Sequence, residues 1–202
     1  MSKAIDVLMS EHRLIERVLG SLETWGLEVE RGLQPERGLL AQYAEFFGRF
    51  ADACHHGKEE EILFRKMAEN GFSTDNGPLA VMLYEHSLNR KHVGALRAVG
   101  AGAGAVGTSE RGSAVATARE FVPLLRQHIV KEDRILYPMA LQMLGPAELD
   151  AIENEFDVFE RAFSAGGEVE RLHRLAETLE GAFRGDQDRM AAGSLMGCGA
   201  GR

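Results

Sequence analysis

Cysteine is scarce in this chain. Only Cys54 and Cys198 occur in 202 residues, which gives neither a disulfide framework nor a CxxC metal knuckle. Cys54 reads as a small buried hydrophobe on a helix. Cys198 falls in the glycine-rich "AAGSLMGCGAGR" stretch, which is expected to be mobile. Positive charge is also in deficit. A net charge of -8 argues against non-specific nucleic-acid binding and against anchorage on an anionic membrane. No apolar run approaches the length that spans a bilayer. The opening "MSKAIDVLMSEHRLIERVL" carries acids and lacks the apolar core and small-residue cleavage site of a secretory signal, so a cytoplasmic location is expected. Strand-type alternation is missing as well. What remains is ordinary for a globular chain, 45% hydrophobic and 27% charged, at a length that suits one domain with appendages.

The apolar spacing is helical nearly throughout. Ile5, Leu8, Ile15, Leu19 and Leu22 form a stripe three and four apart, predicting a first helix over about 3–30. A second helix is expected from Pro35 to about Asn70, a third from Pro78 to about Val99, and a fourth from about Ser113 to Leu144, bent at Pro123. "GAGAGAVGTSERGS" reads as the flexible connector before the fourth helix. Shorter helices are expected over about 147–163 and 167–184. The fold class is therefore all-α: an up-down-up-down four-helix bundle over 1–145, a two-helix extension over 146–185 and a flexible tail over 186–202. The last two helices either pack on the bundle or mediate self-association into a homo-oligomer.

One phrase occurs twice: "HHGKEEEILF" at 55–64 and "HIVKEDRILY" at 128–137. Both read His-x-x-Lys-Glu-acid-x-Ile-Leu-aromatic. In an α-helix, residues four apart lie 40° apart on one face, so a His and the Glu four later can reach one metal ion. His128 and Glu132 share a stripe with Phe121, Leu124, Leu125, Ile135 and Leu136. A carboxylate buried there without a partner is costly. A metal would neutralise it, as a His–Glu hydrogen bond would partly do. In the first copy, His55–Glu59 and His56–Glu60 both fit the spacing. Alignment of the copies favours His55 and Glu59, and leaves His56 solvated or one layer out. His12 and His86 also fall on apolar stripes, so each of the four helices places a His inward. His92 and His173 read as surface or packing residues. Glu16 reads as a surface ion-pair residue and Asp133 as the alternative carboxylate beside Glu132. Tyr84, Glu85 and Tyr137 lie near these residues, the two tyrosines as core aromatics with polar tips. Four imidazoles and two carboxylates suit iron, manganese or zinc.

The segments "EHRLIERVL", "HHGKEEEILF", "GPLAVMLYEH" and "HIVKEDRILYP" resemble the hemerythrin-like family, also called HHE cation-binding domains, over roughly 1–145. The resemblance implies a non-haem site of two iron ions (Fe2+/Fe3+) with an oxo or hydroxo bridge. Its ligands would be His12, His55, Glu59, His86, His128 and Glu132, with the two glutamates bridging. The oxygen-carrying members resemble HxxxH on the third helix, where Arg90 follows His86 here, and they carry a carboxylate at the position of Asp133. The four-His, two-Glu set is closer to bacterial members linked to repair of iron centres and to nitric oxide. Those usually bear a cysteine-containing N-terminal segment that this sequence does not match. Without a fifth histidine, coordination at iron would be more open, or filled by water or another residue. The expected function is thus binding or sensing of O2, NO or peroxide, or iron handling. An oxidase, peroxidase or NO reductase is the enzymatic alternative, and a metal-free interaction module is the third.

Overall fold

The computed structural model describes residues 2–184, so Cys198 and the expected tail lie outside the described residues. Among those residues every regular element is helical. Helix α1 is Lys3–Glu30. Helix α2 covers residues 37–69: α-helical Arg37–Phe46 passes into π-helical Phe47–His56 and Glu59–Phe64 and finishes as Arg65–Glu69. Helix α3 is Gly77–Gly100. Helix α4 covers residues 108–143, with a π-helical Glu132–Leu136 between α-helical Thr108–Lys131 and Tyr137–Met143. Helices α5 and α6 are Pro146–Phe163 and Glu168–Ala182.

Local chemistry sets most of these boundaries. Pro78 and Pro146 occupy the first turns of α3 and α5, where the absent N–H has no intrahelical partner to lose. Gly32 and Gly71 follow α1 and α2 at φ of 113° and 101°, a left-handed region that favours glycine. Helix α4 begins at Thr108, earlier than the expected Ser113, so the second half of the presumed connector is helical. The backbone N–H of Gly107 donates to Glu110 Oε2 at 2.9 Å, and Arg37 clamps the same carboxylate at 2.7 Å. Pro123 does not end its helix; it lies on the exposed side and Thr108–Lys131 runs through it.

Packing places α1 against α4 and α2, and α3 against α2 and α4. The core divides into two apolar clusters. One contains Trp25, Tyr43, Phe47, Leu96 and Phe121. The other contains Ile5, Leu8, Leu63, Met67, Leu79 and Leu136. Along α1 the second cluster comes first, along α2 the first, along α3 the second and along α4 the first. Consecutive helices therefore run in opposite directions, as an up-down-up-down bundle requires. On each of the four bundle helices the buried histidines fall between the two clusters. They form a polar layer sealed above and below by apolar side chains.

The last two helices pack on the bundle. α6 lies on α1 and α2, and α5 lies on α1 and on the π-helical part of α2. Two expectations of burial fail, Ile135 on its apolar stripe and Tyr84 as a core aromatic. Ile135 is 52% exposed and Tyr84 62% exposed. Ile135 sits within the π-helical turn of α4, whose i→i+5 hydrogen bonds shift the side-chain phase that a constant 100° step assumes.

Candidate metal centre

His12, His55, His86, His128, Glu59 and Glu132 all converge in the polar layer, each at most 1% exposed. His56 joins them. It is 2% exposed, and its ring stacks on that of His86 at 3.8 Å between centroids. The expectation of a solvated or more distant His56 is thus corrected. The cause is the π-helical Phe47–His56. Its turns are wider than those of an α-helix, so the neighbours His55 and His56 both reach the interior, where a 100° step would have turned His56 away.

The ligand-capable atoms form two groups. His12, His55, Glu59 and Glu132 make one, and His56, His86 and His128 make the other, with the atoms of each group within 4.8 Å of one another. Both carboxylates span the two groups. Glu59 Oε2 lies 3.5 Å from His55 Nε2 and 3.6 Å from His86 Nε2. Glu132 Oε2 lies 3.2 Å from His12 Nε2, and its Oε1 lies 3.1 Å from His128 Nε2. His86 Nε2 and His128 Nε2 face each other at 3.0 Å. Despite this crowding, His55 Nε2, Glu59 Oε2 and both Glu132 oxygens are buried and outside hydrogen-bonding geometry. Unsatisfied buried polar atoms are rare in native proteins. Four of them gathered in one sealed layer fit a cation-binding centre, and imidazole with carboxylate is the donor set that iron, manganese and zinc accept.

Behind each imidazole stands a carboxylate. The Nδ1 atoms of His12, His55, His56, His86 and His128 meet Asp133 at 2.7 Å, Glu11 at 2.9 Å, Asp52 at 3.3 Å, Glu60 at 2.6 Å and Glu85 at 2.9 Å. An ionised carboxylate only accepts, so each Nδ1 carries a proton and each Nε2 faces inward, free to ligate in the neutral form. This is how ligating histidines are usually oriented. Each of these carboxylates is in turn held by a cation. Arg13 pairs with Asp133, Lys58 with Glu11, Lys131 with Glu85, and Arg90 with both Asp52 and Glu60. Glu16 pairs with Arg13 at 3.1 Å, as expected of a surface acid.

These contacts explain the repeated phrase position by position. Its His faces the centre. Its Lys holds the Glu that precedes an inward His on another helix, Glu11 before His12 and Glu85 before His86. Its first acid spans the two groups. Its second acid, Glu60 or Asp133, holds His86 or His12. Asp133 thus meets the outer nitrogen of His12, while Glu132 lies among the inward atoms. The closing aromatic stacks on the same histidine: Phe64 on His86 at 5.8 Å, Tyr137 on His12 at 5.6 Å. Two of the five outer carboxylates, Glu11 and Glu85, carry a signal in the sequence, the dipeptide "EH" at 11–12 and 85–86. Tyr137 is a core aromatic, as expected, and also enters the layer: its hydroxyl donates to Glu59 Oε1 at 2.7 Å.

The electrostatics of the metal-free layer follow from burial and crowding. Burial raises the Glu59 carboxyl well above its usual range, and the facing Glu132 adds to the rise. Burial would raise Glu132 too, but His128, His12 and His86 hold it well below. Like charges this close do not ionise together. Burial lowers His55, and His56 falls to about 3 through burial beside His86. Burial also opposes protonation of His128, yet Glu132 and Glu85 push it up to about 9. Cys54 is buried, as expected; burial pushes its thiol up to about 12, and it belongs to neither ligand group. His92 packs at the ring of Phe121, 5.8 Å away, and His173 is exposed with its edge on Phe50.

A family model described as the hemerythrin HHE cation-binding domain matches residues 3–140. No curated protein and no solved structure matches the chain. The match covers the four bundle helices but for the last three residues of α4, together with every residue of the polar layer, and it marks a metal-binding helical protein. The chain belongs to the hemerythrin family of HHE cation-binding domains.

Proposed function

We propose that the polar layer holds two iron ions and that the protein binds or reacts with a small molecule of the O2, NO or peroxide class. The observation that carries this reading is the pair of carboxylates, Glu59 and Glu132, each lying against imidazoles of both groups. One ion would take His12 and His55, the other His56, His86 and His128, with Glu59 and Glu132 shared. When bound, such a pair supplies coordination positions for a small ligand and electrons for its reduction.

The chain's own residues prepare that chemistry in definable ways. The two apolar clusters exclude water, which strengthens every electrostatic interaction inside. The five outer carboxylates fix the imidazoles by their Nδ1–H groups and raise their basicity. The fifth imidazole comes from α2, as His56, and not from α3. The α3 position that carries the extra histidine in the oxygen carriers is Arg90, which anchors the acids behind His56 and His86. The Tyr137 O–H is the donor beside His12 and Glu59, placed to donate to a ligand on that side. Burial keeps its hydroxyl protonated.

The test is the visible spectrum of protein reconstituted with ferrous iron, before and after air is admitted. The reading predicts an absorption band that appears with air and that is weakened in His56→Ala and abolished in His128→Ala. A band that fades on degassing would assign reversible O2 binding, and one that persists would assign redox chemistry. Protein that retains no iron would overturn the reading.

A further inference from the structure

The family match ends at residue 140, yet a contact chain runs from the metal layer into α5. His55 Nδ1 meets Glu11 Oε2 at 2.9 Å. Glu11 Oε1 accepts from Lys58 Nζ at 2.5 Å, and Lys58 Nζ donates again to Glu160 Oε1 at 2.6 Å. The Lys58 side chain is 0% exposed, so its charge depends on these two carboxylates. Its ammonium also lies 5.6 Å from the Phe156 ring, one turn earlier on α5. Gly57 completes the dock: a Cβ there would come within 2.9 Å of Phe159 Cζ. Thus "GK", the two residues between His56 and Glu59, meets three residues of α5.

The matching half of the bundle lacks this arrangement. There Lys131 holds Glu85, which holds His128, but the Lys131 side chain is 34% exposed. Its counterpart Lys58 is buried because α5 covers it. A lysine with a single carboxylate partner and no access to water would have an uncompensated buried donor, which is costly. Glu160 removes that cost and fixes where the ammonium sits, and with it the Glu11 carboxylate.

We infer that Glu160 is a positioning residue for the metal centre, acting through Lys58 and Glu11 on His55, so that α5 is part of the site although it lies outside the family domain. The inference rests on the reading of His55 as a ligand. An outer partner that touches a ligating His typically changes metal affinity 10–100-fold when mutated. Glu160 acts two residues further out, through Lys58 and then Glu11, which sets its expected effect lower, at about threefold to tenfold.

The experiment compares Glu160→Gln, Glu160→Asp and, as a control on the same helix, Glu155→Gln, whose partner is Arg65. Two readouts are taken on the full chain. Competition titration with a chelator measures Fe2+ affinity, and side-chain nitrogen NMR of the metal-free protein follows the His55 Nδ1–H. Glu160→Gln is expected to weaken Fe2+ binding by threefold to tenfold and to shift the His55 signal. Glu160→Asp should restore part of both, and Glu155→Gln should change neither. If Glu160→Gln leaves the His55 signal and the affinity at the control values, the inference is overturned, even where the melting temperature falls. Should the parent protein bind no iron, the di-iron reading fails while the metal-free NMR signal still decides the positioning role.

Discussion

A proton on His128 competes with any cation for the same Nε2 lone pair. The carboxylates of Glu132 and Glu85 hold this imidazole at about 9 despite its burial, so it is charged at neutral pH in the metal-free protein. A metal binds only the neutral form. Metal affinity is therefore predicted to rise with pH up to about 9, by at most about tenfold per unit. The effect on metal-free stability has the opposite sign: His128 stabilises the fold below its unfolded pKa, and that contribution is lost as pH rises through about 9. Titration with Mn2+ at successive pH values checks the prediction, and an affinity flat from pH 6 to 9 would contradict it. At this scale the sequence is informative where the helix is regular. His12, His86, His128 and Glu132 follow from stripes at α-helical spacing. His56 does not, because its inward turn depends on π-helical geometry that no residue in "FGRFADACHH" announces. The outer acids were visible as letters, but which imidazole each one holds depends on the neighbouring helix.

The π-helical segments are the element-scale feature of this protein. They occur in α2 and α4, the two helices that carry the repeated phrase, and they contain or adjoin His55, His56, Glu59 and Glu132. π-Helical turns are uncommon and frequent at functional sites. The wider turn lets successive residues share an interior, at the expense of the regular apolar stripe, as exposed Ile135 records. Helix α5 packs on one of these segments, and Gly57 sets the closeness of approach. Gly57→Ala gains about 1 kcal/mol of helix propensity but must displace the Phe159 ring, which overpacking data put at about 1–3 kcal/mol. The net expectation is destabilisation of about 1 kcal/mol with α5 shifted from α2. Guanidinium unfolding of the metal-free protein measures it, and equal or greater stability in the variant would show that α5 is not in tight contact there. The four-helix plan was legible from proline and glycine punctuation and apolar spacing. The early start of α4 was not, since it depends on Arg37 reaching Glu110 from a different helix.

At the scale of the whole molecule, two apolar clusters enclose one layer of five imidazoles and two carboxylates. No described helix is long and apolar enough to cross a membrane. The alternation of the clusters along successive helices gives the antiparallel order, and the repeated phrase places equivalent chemistry on α2 and α4. The two copies of the phrase differ at five matched positions, and three of these set the halves apart: His56 against Ile129, Gly57 against Val130 and Phe64 against Tyr137. The first gives one group a third imidazole. The second admits α5. The last gives the other group a hydroxyl. The molecule is thus a doubled plan with inequivalent halves. Counting ferrous ions bound per chain in an anaerobic titration of metal-free protein tests the central claim most directly. The account predicts two ions per chain, with the two steps differing in affinity because one group has three imidazoles and the other two. A single ion per chain, or none, would contradict it.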